Sequence, residues 1–463
     1  MGRRRRECVR DGKAAKRRTA APQLQRRNEG RSSRLNLAVL LVLLWPLFGC
    51  GRSGENRPGG EGSAVTTVVF KHFRIPQGEF LTKLLRDFER EHPNIRVKEE
   101  TLPTSSDEQH QFYVTNLEAR SPEFDVFGID VIWVQEFARA GWLEDVSPAF
   151  SAEELDNFLP APRTACTFSD TLYAAPWYVD AGVLYYRKDL LAKYAFDPPG
   201  TFDELVHSSQ VILEGERNPE LRGFIWQGKQ YEGLVCNVLE FIWSNRGDVI
   251  TDGRVTVDSP QCVEALRFIR DLIVRYKVSP EMVLTGMEES TRHLFGAGKA
   301  IYMRNWPYAW NLFQDEGSSV RGKVGVIAMP HFEGGESAAT LGGWQLGVNR
   351  YSRKKEAAVA LVKFLSRYES QKYVVLTMGF KPSRLDVYDD PDVLREQPFI
   401  ADLKSVLLKA RPRPVTPYYL MISQILQSEF SAALSGIRSP ERSLSEAQKQ
   451  VSRILGLEKA AER

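Results

Sequence analysis

The chain has 463 residues, 43% of them hydrophobic and 26% charged, with a formal net charge of +3. At roughly 150 residues per domain, that is room for a large core and more than one domain. The charge is lopsided: residues 1–49 carry 13 Lys and Arg against 3 Asp and Glu, so the remainder carries 3 − 10 = −7 and offers no electrostatic ground for a nucleic-acid partner.

The basic lead runs into an apolar stretch, residues 35–48, that stops at Gly49-Cys50. It falls short of the ~20 residues a membrane-spanning helix needs, and Pro46 interrupts it. Residues 1–49 therefore read as a leader and signal peptide outside the fold. Leu47-Phe48-Gly49-Cys50 resembles a bacterial lipobox, which implies lipidation of Cys50; Phe48 departs from the small residue usual at its place. Residues 50–64 then form a polar, Gly-rich tether that cannot bury a core. The three cysteines beyond it, Cys166, Cys236 and Cys262, are widely spaced and odd in number. They support at most one disulfide, carry no metal signature, and read mainly as small buried residues.

In chain order, residues 66–70 read as a buried strand. Phe80, Leu84, Leu85 and Phe88 stand at helical spacing, predicting a helix over 79–91 that His92-Pro93 ends. A strand over 95–99, a helix over 109–118, a strand over 125–128 and a helix over 131–140 follow. Asp130 comes directly after its strand, where sites in α/β sheets lie, although the same position suits a helix N-cap. Proline and aromatics in 173–180 mark a crossover between domains. Beyond it come a strand over 183–186, helices within 201–213, 234–243 and 263–274, and strands over 300–303 and 325–330. Leu341-Gly342-Gly343-Trp344 sets two glycines against a tryptophan at the head of a strand over 341–348, a pattern for close backbone approach to a ligand, or for a turn or bulge. Helices over 356–368 and 419–434 flank the proline-rich 411–418, and a charged amphipathic helix over 443–457 closes the chain. Strands alternating with helices argue parallel α/β sheets.

Arg304-Asn305-Trp306-Pro307-Tyr308-Ala309-Trp310 concentrates three rings, an arginine and a carboxamide. Pro307 predicts that Trp306 and Tyr308 stand on a rigid, non-helical segment. Rings with a polar edge suit a ligand with apolar C–H faces and a hydroxyl rim, which describes a sugar; they serve a core equally well.

The leader, tether and alternation, with Asp130-Val131-Ile132-Trp133 and the runs 180–190, 224–236, 304–310, 338–344 and 412–419, resemble the solute-binding lipoproteins of bacterial ABC sugar importers. The likeness is to the maltose-binding-like family, in its trehalose/maltose-binding branch. It implies a two-lobed, periplasmic-binding-protein-like α/β fold, each lobe a mostly parallel sheet flanked by helices, with three interlobe crossovers near Ala175, Ile327 and Tyr368. The lobes would be residues 65–175 with 327–368, and 176–326 with 369–463. It further implies ligand contacts from Glu79, Asp130, Gly342, Gly343 and Trp344 on the first lobe, and from Tyr178, Asp180, Trp306, Tyr308 and Arg413 on the second. Carboxylates there would accept charge-assisted hydrogen bonds from sugar hydroxyls, and Arg413 would donate in a fork.

The implied activity is capture of an oligosaccharide such as trehalose or maltose by a monomer. That monomer is exported, anchored through Cys50, and hands its sugar to permease subunits and their ATPase without any cofactor. One departure bears on the sugar: Glu108-Gln109-His110-Gln111 stands where many disaccharide-binding relatives carry an arginine. A secreted glycoside hydrolase also combines aromatics with paired carboxylates, yet no nucleophile or general-acid motif stands out. The other alternative keeps the fold and changes the cargo to another polar solute. No phosphate-binding loop or zinc motif is present, and the six histidines are scattered.

Overall fold

The computed structural model describes residues 65–461, save 104 and 398. The expected leader, the lipobox at Cys50 and the tether lie outside the described residues. Ten strands carry the architecture: β1 (Thr66–Phe73), β2 (Ile95–Leu102), β3 (Val126–Asp130), β4 (Ala174–Ala181), β5 (Val183–Arg187), β6 (Arg222–Ile225), β7 (Ala300–Asn305), β8 (Val324–Ala328), β9 (Leu341–Val348) and β10 (Lys381–Pro382). They form a six-stranded sheet in the order β10-β4-β9-β3-β1-β2 and a four-stranded sheet in the order β8-β5-β7-β6.

Both sheets are mixed, which corrects the mostly parallel sheets expected from the alternation. In the first, β1 is parallel to β2 and β3, whereas β9 runs antiparallel to β3 and β4, and β10 antiparallel to β4. In the second, only β6 and β7 are parallel. The cause is the route between lobes. Strand β4 leaves the first sheet and β9 returns to it, so the two lie side by side in opposite directions.

Strand β4 pairs with β9 from Ala174 to Ala181, so the chain leaves the first sheet at Gly182 and not near Ala175. It returns between Ala328 and Leu341. The third passage follows β10, since Phe380 belongs to the first core while Val387 and Tyr388 belong to the second.

Helices cover both sheets because their apolar stripes demand it. On the first, α1 (Gly78–Glu91) buries Leu81, Leu84, Leu85 and Phe88, and α2 (Ser106–Glu118) buries Tyr113 and Leu117. Ser105 caps α2 by accepting from the Glu108 amide at 3.4 Å. On the second, α3 (Glu232–Ser244) is buried along its whole length, and α4 (Glu288–Gly296) and α5 (Ala309–Gln314) flank β7. The helix expected over 356–368 is α6 (Lys355–Ser366); Arg367 takes extended torsions after it, and a further helix, α7 (Tyr368–Met378), follows that the sequence reading did not include. Gly379, at φ 72°, ends α7 in the left-handed conformation that glycine adopts without penalty. Helices α8 (Tyr419–Leu434) and α9 (Pro440–Ala461) close the second lobe, with Leu426, Phe430, Leu444 and Val451 in its core.

Candidate ligand-binding site

Between the two lobes lies a cavity of about 1180 Å³, counted to its open mouth. Its first-lobe wall stands at the carboxyl ends of β1 and β3, where open α/β sheets place their ligands. Across that wall Asp130 of β3, Trp344 of β9 and Tyr178 of β4 sit in one row of strand register. The next residues along β9 explain the glycine pair. Gly342 stands opposite Asp180, and a Cβ there would lie 3.1 Å from Cζ3 of Trp306 and 3.4 Å from the Asp180 Cβ. At Gly343, φ is +115° and a Cβ would lie 2.4 Å from the Tyr178 carbonyl oxygen. The glycines therefore let a second-lobe indole settle onto the first sheet, and no larger residue fits at Gly343 without moving backbone.

Trp306 is held on four sides. Its amide donates to Asn305 Oδ1 at 2.8 Å, its carbonyl accepts from the Tyr185 hydroxyl at 2.9 Å, and its Nε1 donates to Glu288 Oε1 at 3.4 Å. Beneath the ring, 4.0 Å from its centroid, lies the guanidinium of Arg304. Arg304 and Glu240 are both fully buried and paired in a fork, Nε to Oε2 at 2.9 Å and Nη2 to Oε1 at 2.5 Å. Glu240 also accepts the Thr340 amide at 3.2 Å, on the segment that leads back into β9. Gly182, where the chain leaves the first sheet, abuts the same pair: a Cβ there would lie 1.9 Å from Glu240 Oε1. One ion pair thus supports the indole and both neighbouring interlobe segments.

Tyr308 donates to Glu289 Oε1 at 2.6 Å. Burial opposes ionisation of Glu289, yet hydrogen bonds from Arg292 and Tyr308 hold its carboxyl below the usual range. The non-helical course predicted for 306–308 does not extend to Tyr308, which has helical torsions, φ −58° and ψ −30°, at the head of α5. Pro307 lies in the turn just before this cap, where its missing amide costs the helix nothing.

Asp130 accepts from Ser106 Oγ at 3.2 Å and from the Ile132 amide at 3.3 Å, and faces Arg413 Nη2 at 3.6 Å. Burial raises its carboxyl above the usual range, against the pull of Arg413. Arg413 also donates to Glu232 Oε1 at 2.8 Å and to the Leu341 carbonyl at 3.2 Å. Glu232 is completed by Tyr419, at 2.5 Å, and by Ser423. Asp180 is different: its Oδ1 is buried without a hydrogen-bond partner. Burial pushes its carboxyl up to about 7, opposed by Lys381 and Arg304. Burial likewise pushes the Lys381 ammonium down to about 7, opposed by Asp180, and Lys381 Nζ donates to Gln397 Oε1 at 2.5 Å.

Nine of the ten predicted contacts, namely Asp130, Tyr178, Asp180, Trp306, Tyr308, Gly342, Gly343, Trp344 and Arg413, line this cavity. Glu79 does not. It is exposed near the start of α1 and lines a neighbouring groove. His110 and Gln111 are also elsewhere: His110 lies 2.8 Å from Glu136 and stacks on Phe137, and Gln111 faces outward. The α2 end of the cavity is lined by Ser105 and Ser106.

The sequence reading missed Phe73, Tyr231, Glu232, Cys236, Glu288, Glu289 and Phe380, all in the lining. Phe380 stacks on Tyr178 at 4.3 Å and Phe73 lies 4.7 Å from Trp344, so these rings extend the aromatic wall. Tyr231-Glu232-Gly233 did carry a signal, a polar head on a largely apolar helix; the Glu288-Glu289 pair did not. Burial pushes the Cys236 thiol up to about 12, so it is no thiolate nucleophile.

The sequence pattern of the family described as bacterial extracellular solute-binding protein matches residues 74–372. The chain belongs to that family. This solute-binding protein is 40% identical over 400 residues to a probable ABC transporter-binding protein of Deinococcus radiodurans, covering 85% of this chain and 94% of that one. The solved structure of maltose-bound MalE3 of T. maritima is 42% identical and superimposes with a TM-score of 0.81, over 84% of this chain and all of that one. A mannitol-binding protein of Pseudomonas aeruginosa is 25% identical, over 81% of this chain and 89% of that one. The solute-binding protein is thus of the maltose-binding-like kind, the substrate-binding component of an ABC sugar transporter. Among the described residues no helix is long and apolar enough to cross a membrane.

Proposed function

We propose that this solute-binding protein captures a disaccharide such as maltose or trehalose in the interlobe cavity and delivers it to its permease. The observation that carries the reading is the meeting of Trp344, Asp130 and Tyr178 from the first sheet with Trp306 and Tyr308 from the second lobe around one space. Rings cover the C–H faces of a pyranose, and the carboxylates accept from its hydroxyl rim. Asp180, buried with an oxygen lacking any protein donor, supports a ligand that brings its own donor. Contacts from both lobes are complete only when the lobes are shut, so the ligand shifts the population toward the closed form by hinge motion. The lobe boundaries in this reading follow the sheets, with passages at Gly182, between Ala328 and Leu341, and after Phe380.

Calorimetry tests it with maltose, trehalose, other disaccharides and the polyol mannitol. Saturable heat with a disaccharide and weaker heat with mannitol is expected; no saturable heat with any saccharide, on folded protein, overturns the assignment. Sugar recovered intact after stoichiometric incubation is the outcome for a carrier, whereas cleavage would make it a glycosidase. The anchor at Cys50 belongs to the same reading. A Cys50→Ser chain should leave the membrane fraction for the soluble one, and unchanged partitioning would remove the anchor.

A further inference from the structure

The buried charges of this chain pair off, with two exceptions. Among the described residues every other buried carboxylate has a lysine or arginine beside it, as Glu240 has Arg304 and Glu232 has Arg413, and Asp180 has none. Every other buried lysine or arginine among them has a carboxylate beside it, and Lys381 has none. A charge so deep without an opposite charge is costly to hold. The two exceptions are neighbours: Lys381 on β10 stands opposite Val179 of β4, and Asp180 is the next residue along that strand. Asp180 lines the cavity, whereas Lys381 lies behind it, fully buried. Only neutral groups hold the ammonium there. Its Nζ donates to Gln397 Oε1 at 2.5 Å and lies 5.0 Å from the centroid of Phe399. Gln397 is fixed in turn by donating to the Val375 carbonyl at 2.8 Å and to Asn311 Oδ1 at 3.3 Å.

The other cations near Asp180 are already engaged, Arg304 of β7 by Glu240 and Arg413 by Glu232 and Asp130. The remaining titratable groups that face Asp180 bring no positive charge: Asp130 of β3, Tyr178 of β4, Tyr185 of β5 and Tyr388 beyond β10, and burial with the Asp180 charge raises all three phenols above their usual range. From this complementarity we infer that Lys381 is the countercharge of Asp180 and a positioning residue of the site: without touching the ligand, its ammonium keeps Asp180 a carboxylate and so sets the pH below which a sugar hydroxyl meets no charged acceptor. The inference rests on the saccharide reading of the cavity. Burial drives Asp180 toward its neutral acid, and Lys381 is the first of the groups that oppose it, ahead of Arg304. The neutral acid offers a hydroxyl weaker acceptors, because the charge assistance is gone.

Calorimetry with maltose and trehalose across the pH range tests it on the parent chain, on Lys381→Met and on Lys381→Gln, whose amide can still donate to Gln397 should the Met chain fail to fold. In the parent, affinity should rise with pH through about 7, the value burial gives Asp180. Without the ammonium that rise should move up by about one pH unit, leaving sugar bound about tenfold more weakly near pH 6 and within about twofold of the parent near pH 9.5. In an Asp180→Asn background, which lacks the titrating carboxyl, adding Lys381→Met should change affinity by less than about twofold at any pH. A rise that stays where the parent has it, or a parent affinity flat over this range, overturns Lys381 as the countercharge and leaves the cavity reading standing. A loss equal at every pH, or one that persists in the Asn background, overturns it as well and makes Lys381 a residue of the fold alone. Absence of binding by either sugar at any pH in the parent takes down both readings together.

Discussion

Replacing Arg304 by Met separates what the buried ion pair does for folding from what it does for the ligand. The substitution removes two charge-assisted hydrogen bonds at 2.9 and 2.5 Å and leaves Glu240, fully buried, with the Thr340 amide at 3.2 Å as its remaining donor. An uncompensated buried carboxylate of this kind costs about 3–5 kcal/mol. Adding Glu240→Leu to Arg304→Met removes the stranded charge and should restore most of that loss, since an apolar pair of similar volume is often as stable as a buried ion pair. Neither variant keeps the guanidinium 4.0 Å beneath the Trp306 ring, a contact worth about 0.5–2 kcal/mol. Urea unfolding should therefore show a large loss in the single variant and recovery in the double, while calorimetry shows sugar affinity reduced in both. If the double variant unfolds as readily as the single one, the loss is not that of a stranded charge. If both bind sugar like the parent, the pair does not support the indole.

Trp306→Ala should weaken sugar binding by about 1–3 kcal/mol in calorimetry with little change in the unfolding midpoint, because the ring is only partly buried at the cavity wall; an unfolded product would make it a core residue. Gly182→Ala should destabilise by about as much as Arg304→Met, since its Cβ would lie 1.9 Å from Glu240 Oε1 and 2.6 Å from Arg304 Nη2; urea unfolding measures it, and a loss under about 1 kcal/mol would show that the pair can shift aside. The folded value for Asp180, about 7, lies above its unfolded one of about 3.9, so the native state binds the extra proton between them. Its contribution to stability is fully present below about pH 4 and is lost as pH rises through 7. Lys381 runs the other way, its contribution being present above about pH 10 and lost as pH falls through 7. In unfolding midpoints taken from pH 4 to 7, Asp180→Asn should remove the decline that Asp180 imposes, and an unchanged slope would sink that assignment.

Much of the site was legible because it is written in residues whose side chains have few other uses at those places. A glycine pair beside Trp344, and an aspartate at the end of β3, hold the register that sets Asp130, Trp344 and Tyr178 abreast. Helices with strong apolar spacing, such as α1 and α8, were legible for the same reason. Strand direction was not, because hydrophobic periodicity reports burial and not the sense of the neighbour; the β4 and β9 pair depends on a route through the other lobe. The end of α6 was legible to within two residues, but α7 beyond it was not, since neither glycine nor proline at Arg367 marks where one helix stops and another starts. Glu79 came from the family resemblance alone, and near the start of α1 it lines the neighbouring groove and not the cavity. Glu232 was hidden because its reason for being buried, Arg413, Tyr419 and Ser423, lies far along the chain.

Asp130 and Glu232 come from opposite lobes and share one guanidinium, Arg413. The lobes consequently share a contact that needs no cargo, and it would favour a shut form of the unladen carrier. Such a carrier competes with laden ones for the membrane complex, so wasted hydrolysis is avoided only if that complex inspects more than the outline of its visitor. In the proposed reading a sugar hydroxyl that took over the shared oxygen of Asp130 would loosen this internal strap as it bound, and the affinity measured would be what remains after that exchange.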